Sequence, residues 1–461
     1  MKLITAIYNL LWGDLFTIPL PGGASLGISL LVAILIPAGI YFTIRTKFLP
    51  IRMFPEMLRI TVERESKDKN GALSGVQALI VSTATRVGMG NMVGVVAAIS
   101  AGGAGAVFWM WITALIGSST AYVEATLAQL YKQPDPLYGG YRGGPAYYLH
   151  AFFTKGRQQR RHWIAVLFAL SGLLCWCGVS QVISNSVSSA FENAFSIPPI
   201  VSTVILVALA AFVVLRKNAT VKVLDIMVPV MAAFYFVIAI IVILMNLGQL
   251  PQVFSHIVQE AFGLRQMAAG AFGAALMNGV KRGLFSNEAG SGSAPCAAAA
   301  AEVSHPAKAG LFQAFGVFID TIVICTCTAM IMLLAPEEQL AGLQGMELLQ
   351  TAMHYHFGQA GVVFTAVTLW LFSFSTFIGI LYYARGNVAY LFGDNWKAQT
   401  AYKILALVML FIGGLATYTF VWDLGDIGIG LMTVFNMLAI LPMGGQAVKV
   451  LDEYNALRKQ K

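Results

Sequence analysis

The stretch STATRVGMGN, residues 82–91, interrupts the middle of an apolar run over residues 73–101. That run is long enough to cross a bilayer as a helix, which takes about 20 residues. It nevertheless contains Gly88 and Gly90, which lower the cost of leaving helical geometry, and the charged Arg86 beside them. Open backbone is tolerated in hydrocarbon only where protein or a water-filled cavity covers it. The stretch therefore predicts a membrane helix that is broken inside a protein core.

The composition predicts an all-α integral membrane protein. Of the 461 residues, 58% are hydrophobic and only 11% are charged, and several segments of membrane-spanning length carry almost no charge. The net charge of +8 does not indicate nucleic-acid binding, because the basic residues are dispersed among the loops. We predict eleven transmembrane helices, at about 24–44, 73–102, 105–131, 163–183, 198–215, 223–246, 267–300, 309–334, 359–384, 402–421 and 427–447.

The loops between these spans alternate in charge. Twenty-four of the 29 basic residues fall in loops on one side, above all in 45–72 and 132–162, whereas the other side holds only Lys2 and Arg265. Because basic loops stay cytoplasmic, the N-terminus is expected outside and the C-terminus inside, in a multi-pass protein of the plasma or inner membrane. The first 16 residues are interpreted as an interfacial amphipathic helix, in preference to a signal peptide.

The two halves of the chain resemble each other in layout. Each half has five predicted spans, and because five is odd the second half enters from the opposite side, as in inverted repeats. The first span of each half is interrupted, in the second half by GVKRGLFSNEAGSGSAP, residues 279–295. The predicted units are an interfacial segment, first helix and cytoplasmic loop at 1–72, repeats at 73–248 and 266–447, and a cytoplasmic tail at 448–461.

A break in a membrane helix exposes backbone groups that can bind charged ligands. A break frees N–H groups at the start of one half-helix, which attract a carboxylate, and C=O groups at the end of the other, which attract a cation. This arrangement suits a zwitterion and a co-transported cation near the midplane of the bilayer. The alternative is a hinge, or close packing of helices through small residues. Two breaks in equivalent spans favour the binding site.

Two other functional classes stay open at this point. Paired broken helices also occur in passive channels, although no repeated pore loop is present in the sequence. A membrane-embedded enzyme would need paired aspartates, a histidine-rich set or a serine–lysine dyad within spans, and we expect neither an enzyme nor a cofactor. The five cysteines, which include Cys175 and Cys177, are interpreted as small packing residues and not as metal ligands.

Three motifs resemble those of one transporter family. GGAGAVFWMWITALIG (102–117), VGMGNMVGV (87–95) and RGLFSNEAGSGSAP (282–295) are similar to segments of the sodium:alanine (alanine or glycine:cation) symporter family. The resemblance implies a LeuT-type core of ten helices in a 5+5 inverted repeat, preceded by one extra helix. It also implies uptake of a small neutral amino acid (alanine, glycine, or one such as serine or glutamine), with sodium or sometimes protons as the coupled ion.

The resemblance also implies roles for individual residues. Those implied in substrate binding are Thr85, Gly88, Met89, Gly90, Asn91, Gln181, Phe285, Ser286 and Asn287. Those implied in sodium binding are the carbonyls of Ala84 and Val87 and the hydroxyls of Ser375 and Thr376. Arg86 is a gating candidate through an ion pair with Glu124 or Glu288, or else a cap of free carbonyls.

Several of these positions have alternative or altered roles. Gln181 is equally interpreted as an interhelical hydrogen bond, Asn91 as a helix cap and Glu288 as a lock on the local backbone. Met89 stands where relatives usually have threonine, and Ile380 where many have tryptophan. These two departures bear on the choice of amino acid.

Overall fold

The computed structural model describes residues 2–20, 24–62, 73–155, 161–216, 220–263 and 270–460, and the described chain is almost entirely helical. The helices are α1 Lys2–Trp12, α2 Leu30–Arg45, α3 Leu49–Arg52, α4 Phe54–Val62, α5 Gly75–Arg86, α6 Val95–Gly102, α7 Gly105–Leu130, α8 Pro145–Thr154, α9 Trp163–Phe195, α10 Pro199–Val214, α11 Thr220–Met245, α12 Leu250–Ala261, α13 Gly270–Asn287, α14 Pro295–Ala298, α15 Pro306–Val317, α16 Thr326–Leu333, α17 Glu337–Leu340, α18 Met346–Phe357, α19 Gln359–Phe392, α20 Trp396–Gly413 and α21 Tyr418–Lys459. Two π-helical turns, Gly90–Gly94 and Phe318–Cys325, precede α6 and α16, and a 3₁₀ turn spans Leu247–Gln249.

The strands are short and lie outside the helical core. They are β1 Asp14–Leu20, β2 Ala24–Ser29, β3 Leu73–Ser74, β4 Gln133–Pro134, β5 Tyr141–Arg142 and β6 Ala301–Glu302. β1 and β2 form an antiparallel hairpin, as do β4 and β5. β3 pairs in parallel with β6, so that the start of α5 lies beside the chain that leaves the second break.

Among the described residues, six helices are long and apolar enough to cross a membrane, or seven if the bent pair α5 and 90–102 counts as one span. Two shorter apolar helices, α2 and α10, accompany them. In α11, a 20-residue segment of mean hydropathy 2.8 is only 28% buried. Apolar side chains on an outer surface need an apolar solvent, which identifies this surface as facing lipid.

Helical segments lie within each of the eleven predicted ranges, but some boundaries differ. The predicted spans 402–421 and 427–447 misplace one connection, because α20 ends at Gly413 and α21 begins at Tyr418. Residues 418–427 are apolar enough to continue a helix, so composition does not reveal this turn. Residues 24–29 form a strand instead of the start of the first span. Residues 63–72 of the predicted basic loop and 267–269 of the seventh predicted span lie outside the described residues.

Helices from the first and second halves of the chain pack against each other. α7 packs against α13 and α15, and α9 packs against α19, α20 and α21. α5 contacts both α15 and α19, which places the break after Arg86 between these two groups of helices. Glycines permit the close approaches: a Cβ on Gly178 would lie 2.3 Å from the backbone of Gly425. The core therefore surrounds the interrupted helices.

The segments flanking the helices meet at two ends of the bundle. At one end, Arg142 pairs with Asp394, and Glu56 accepts hydrogen bonds from Arg59 at 2.7 Å and from Tyr454 at 2.5 Å. The hydrogen bond from Arg59 holds the pKa of the Glu56 carboxyl below its ordinary value. These contacts join the loops that carry most of the basic residues. At the other end α1 packs on α21, where the indole N–H of Trp12 donates to a main-chain carbonyl at 3.0 Å.

Candidate functional site

The first break is short and its backbone is held by side chains. α5 ends at Arg86, and residues 90–102 continue at an angle of 45° to it. The N–H of Gly88 donates to the Asn91 side-chain oxygen at 2.9 Å, and the N–H of Met89 donates to the Thr376 hydroxyl at 3.2 Å. The resemblance implied that both N–H groups hold the substrate carboxylate. In this structure both have side-chain partners, and Gly90 is the residue at which the half-helix begins.

The two glycines of the first break have different surroundings. A Cβ on Gly88 would lie 1.9 Å from the Thr376 hydroxyl oxygen and 3.1 Å from the Ala84 carbonyl oxygen. A Cβ on Gly90 would approach nothing closer than the Ser286 Cα, at 3.4 Å. Gly88 therefore allows the contact with α19, whereas Gly90 brings the first break next to the end of α13.

The second break is longer and uses left-handed backbone. α13 ends at Asn287 and α14 begins at Pro295; between them Glu288, Gly290 and Gly292 have φ values of 57°, 92° and 81°. A non-glycine residue with positive φ is uncommon and strained, and such residues cluster at functional sites.

A buried polar network supports this second break. Glu124 on α7 accepts a hydrogen bond from the Gly290 N–H at 3.2 Å, and Asn436 on α21 donates to the Gly290 carbonyl at 2.9 Å. Asn436 also donates to Glu124 at 2.8 Å, which joins the two partners. Because both backbone groups of Gly290 have partners, the cost of open backbone inside the core is lowered at this residue.

A small cavity lies between the two breaks. The space inside it that the centre of a water molecule can reach is about 30 Å³. In this conformation the cavity therefore holds little more than one or two waters. Side chains at its wall must therefore move before an amino acid fits. The lining residues are Thr85, Met89, Gly90, Cys175, Trp176, Val179, Phe285, Glu288, Ser293, Thr376, Ile380, Ile429 and Met432.

Three of the four predicted sodium ligands lie together beside this cavity. The hydroxyls of Ser375 and Thr376 lie 3.3 and 3.5 Å from the Ala84 carbonyl oxygen, and each also donates to the Phe372 carbonyl at 2.8 Å. Val87 follows as the C-cap residue of α5. Hydroxyl and carbonyl oxygens suit a hard cation, and the C-terminal end of α5 adds partial negative charge.

A third buried network joins the side chains of both breaks. Asp320 lies fully buried in the π-helical turn Phe318–Cys325. Its carboxylate accepts hydrogen bonds from the Asn91 amide at 2.7 Å, from the Ser286 hydroxyl at 3.0 Å and from the Thr321 hydroxyl at 2.5 Å. Asn91 and Ser286 therefore turn away from the cavity and toward Asp320. Asp320 in turn holds the Asn91 amide that binds the Gly88 N–H.

An aromatic and ionic stack lies along the last two turns of α13. Phe285, which lines the cavity, packs on Trp422 with ring centroids 4.9 Å apart, and the Arg282 guanidinium lies 3.8 Å above Trp422. Arg282 makes a bidentate ion pair with Asp426 at 3.0 and 3.1 Å, and Lys281 reaches the same carboxylate at 2.6 Å. A charge-assisted pair thus holds Arg282 over Trp422, which packs on Phe285 at the cavity wall.

Some residues implied by the resemblance lie elsewhere. Gln181 is outside the cavity, and its amide contacts the Met409 sulfur at 3.2 Å, because its helix packs tightly on α20. Asn287 borders a different small cavity, with its side chain bonded to the Ala289 N–H at 3.0 Å.

The structure also places the gating candidates. The Nε atom of Arg86 lies 4.0 Å from Glu288, and its Nη1 atom donates to the Gln313 carbonyl at 3.1 Å. Within the described part of the chain, no Arg86–Glu124 ion pair forms within 4.0 Å, because Glu124 is turned toward Gly290. The arrangement combines the two alternatives for Arg86, since it contacts one carboxylate and one free carbonyl.

The residues of the site that sequence reasoning missed include two carboxylates and two aromatic residues. Asp320 and Asp426 carried a usable signal, because a carboxylate inside a membrane span is a functional candidate by default. Trp176 and Tyr383 carried none, since aromatic residues are common throughout these helices. Tyr383 donates to Glu288 at 3.1 Å and bonds Thr85 at 2.6 Å, which links the two breaks through their side chains.

Comparisons with known proteins find relatives that match over most of the chain. The chain is 44% identical over 432 residues to the probable sodium/glutamine symporter GlnT of Bacillus subtilis, covering 93% of this chain and 88% of that one. It is 40% identical over 430 residues to the amino-acid carrier protein AlsT of the same organism, covering 93% and 90%.

The likeness extends to the fold of solved transporters. The structure of MhsT in complex with L-phenylalanine matches with a TM-score of 0.54 and 13% identity, covering 83% of this chain and 89% of that one. Such transporters have a LeuT-like fold. The model of the sodium:alanine symporter family matches residues 23–461. The chain therefore belongs to the sodium:alanine symporter family, which is a family of transporters.

Proposed function

We propose that this protein is a secondary active transporter that takes up a small neutral amino acid together with sodium, by alternating access around the cavity between the two breaks. One observation carries the proposal. The backbone of Met89 and Gly90, at the start of one half-helix, faces the end of α13 across a cavity that also has hydroxyls and a carboxylate in its wall. A half-helix N-terminus attracts the substrate carboxylate, and the zwitterion matches the remaining polar groups.

The coupled ion binds next to the substrate in this proposal. The hydroxyls of Ser375 and Thr376 and the carbonyls of Ala84 and Val87 supply hard oxygen ligands to sodium. Thr376 also lines the cavity and accepts the Met89 N–H. Ion and substrate are thus linked through one side chain, so that binding of one organises the site for the other.

We further propose eleven spans with a 5+5 inverted repeat. The packing of α7 on α15 and of α9 on α19 supports it, because each pair joins the second or third helix of one half to its counterpart. The stack of Phe285, Trp422 and Arg282 is then the closure toward one side of the membrane. Opening requires the Arg282–Asp426 pair to separate, a change that fits rocking of one group of helices against the other.

Uptake into proteoliposomes tests the transport proposal. Labelled alanine, glycine, serine and glutamine are offered under an imposed sodium, lithium or proton gradient, and internal label is identified chemically. We expect intact amino acid to accumulate above the external concentration with sodium, and the accumulation to collapse when the gradient is removed. Equilibration without accumulation would identify a passive channel, and chemically modified label would identify an enzyme.

The orientation is proposed from the loop charges, with the N-terminus outside and the C-terminus in the cytoplasm. All five native cysteines are buried, so single added cysteines report cleanly. An impermeant thiol reagent applied outside intact cells should label Gln344→Cys and miss Val62→Cys, both at exposed positions. The reverse labelling pattern would overturn the orientation.

A further inference from the structure

The carboxylates buried around the two breaks differ in what they contact. Glu124 accepts hydrogen bonds from the Gly290 N–H and the Asn436 amide, and Asp320 accepts them from neutral amide and hydroxyl donors. Neither borders the cavity between the breaks. Glu288 borders this cavity, and among the described residues it is the only carboxylate in the cavity wall.

Backbone geometry aims Glu288 at the cavity. It is the first residue after α13, and its φ of 57° is left-handed, a conformation that a residue with a side chain adopts at a cost. The Tyr383 hydroxyl donates to it at 3.1 Å, and Ser293, also in the cavity wall, is its second hydroxyl neighbour. The strained turn and these hydroxyls hold the carboxylate at the wall.

The positive charge nearest to Glu288 is incompletely engaged. The Nε atom of Arg86 is 4.0 Å away, beyond hydrogen-bonding distance, and both Nε and Nη2 of Arg86 have no hydrogen-bond partner among the described residues. A buried carboxylate with so loose a counter-ion gains most from a cation that arrives with hydrogen-bond donors. An ammonium group is such a cation.

Glu288 and the start of the half-helix at Gly90 line the same cavity. A Cβ on Gly90 would lie 3.4 Å from the Ser286 Cα, and Glu288 follows Ser286 by two residues. The half-helix N-terminus at Gly90 and the carboxylate of Glu288 therefore border one small space. A ligand whose carboxylate binds the first has its α-ammonium group directed to the second.

We propose that Glu288 binds the α-ammonium group of the substrate, and so restricts transport to amino acids over carboxylic acids without an amine. The inference rests on the proposed function, since it assigns a partner to one end of a zwitterion in the same cavity. Glu288 is then a substrate-binding residue, and its contact with Arg86 is exchanged for the ligand when the site fills.

A ligand-by-variant cycle tests the proposal on full-length protein in nanodiscs at saturating NaCl. The probes are L-alanine with propionate and L-glutamine with glutaramate, each pair differing by the amine. Glu288→Gln keeps size and removes charge. Losing a buried charge partner weakens such contacts by about 30-fold or more, so the amine preference should shrink at least tenfold, with binding of the amine-free acid unchanged or stronger.

The control is Glu56→Gln, a buried carboxylate at the loop end of the bundle and away from both breaks, which should leave the amine preference within threefold of wild type. A reduction below tenfold in Glu288→Gln, or an equal reduction in Glu56→Gln, would overturn the assignment. If Glu288→Gln does not give monodisperse protein, Glu288→Asp decides. Withdrawing the carboxylate by one methylene should weaken binding of the amino acid at least tenfold and spare the amine-free acid, and unchanged binding overturns the proposal.

Failure of the transport proposal has a different signature. If wild-type protein binds neither amino acid in a sodium-dependent manner at millimolar concentration, the proposed function fails, and this inference with it. If wild-type protein binds them and Glu288→Gln retains the full amine preference, only the role of Glu288 fails.

Discussion

The two helix breaks differ in length and in how their freed backbone groups are stabilised. The first interrupts its helix for only the three residues 87–89, and side chains of Asn91 and Thr376 take up the freed N–H groups. The second leaves seven residues, 288–294, between α13 and α14, with left-handed backbone at three of them. Side chains close the short first break, whereas the longer second break combines left-handed backbone with hydrogen bonds from Gly290 to Glu124 and Asn436.

The two breaks therefore present different chemical groups to a ligand. The first break presents the Ala84 carbonyl to the hydroxyls of Ser375 and Thr376, where we propose that sodium binds. The second break presents a carboxylate, Glu288, where we propose that the substrate ammonium group binds. A short break thus offers the partial charges of its backbone groups, whereas a long break has room for a charged side chain.

The largest effect is expected from Gly88→Ala in the first break. The new methyl group would lie 1.9 Å from the Thr376 hydroxyl oxygen, with α19 unable to retreat from a packed core. Overpacking costs about 1–3 kcal/mol and occasionally more, and here it also displaces a proposed sodium ligand. Sodium-driven uptake should fall about 100-fold or more.

The matched control is Gly90→Ala, whose methyl group meets nothing closer than 3.4 Å. It should give folded protein with an unshifted sodium dependence, although larger substrates lose space. Normal sodium dependence in Gly88→Ala would mean that the contact between the first break and α19 has no role in ion binding.

The second prediction tests the proposed sodium ligands separately from the proposed ammonium-binding residue. Replacing Ser375 and Thr376 together with alanine removes two proposed oxygen ligands, each worth about 0.5–1.5 kcal/mol if the net contribution of a hydrogen bond is a guide. The sodium concentration for half-maximal uptake should rise about tenfold to 100-fold. Ser373→Ala, which removes another buried hydroxyl of α19 that has no hydrogen-bond partner among the described residues, should leave it unchanged. An unchanged value in a folded double variant would remove the assignment.

The third prediction probes the strain of the second break. Gly290→Ala forces a side chain into a φ of 92° and brings its methyl group 2.7 Å from the Met437 terminal carbon. We expect the free energy of unfolding to fall by about 1–3 kcal/mol, seen as a lower midpoint of thermal unfolding. Gly342→Ala is the comparison, because its φ is 79° but no atom lies within 4 Å of the new Cβ. Equal losses in the two variants would show that backbone strain alone is responsible.

The smallest effect is expected from Met89→Thr at the cavity wall. It removes bulk and adds a hydroxyl, so relative uptake of larger or more polar amino acids should rise by about tenfold or less. Competition among labelled alanine, serine and glutamine measures the change. Met409→Thr is the same substitution outside the cavity, beside Gln181, and should leave preferences unaltered. If the two variants behave alike, Met89 does not shape substrate choice.

Much of the architecture was predictable from local features of the chain. Hydropathy over about 20 residues identifies spans, and glycine with polar residues in mid-span identifies both breaks. The family predicted from three motifs is confirmed by a match over residues 23–461. The connection between α20 and α21 was misplaced, because residues 414–417 differ little in composition from the helices that they join.

The sequence by itself determined the class of protein, the position of the two interruptions and the family, because hydropathy and helix-breaking tendency act over a few turns of one segment. Only the tertiary structure decided that Gly88 is the sterically demanding glycine, that Asn91 turns toward Asp320, and that Gln181 lies outside the cavity. It also decided that Glu288 borders the cavity while Glu124 does not. Each of these outcomes depends on contacts between residues far apart in the chain, and such contacts form only when close-packed helices bring their side chains together.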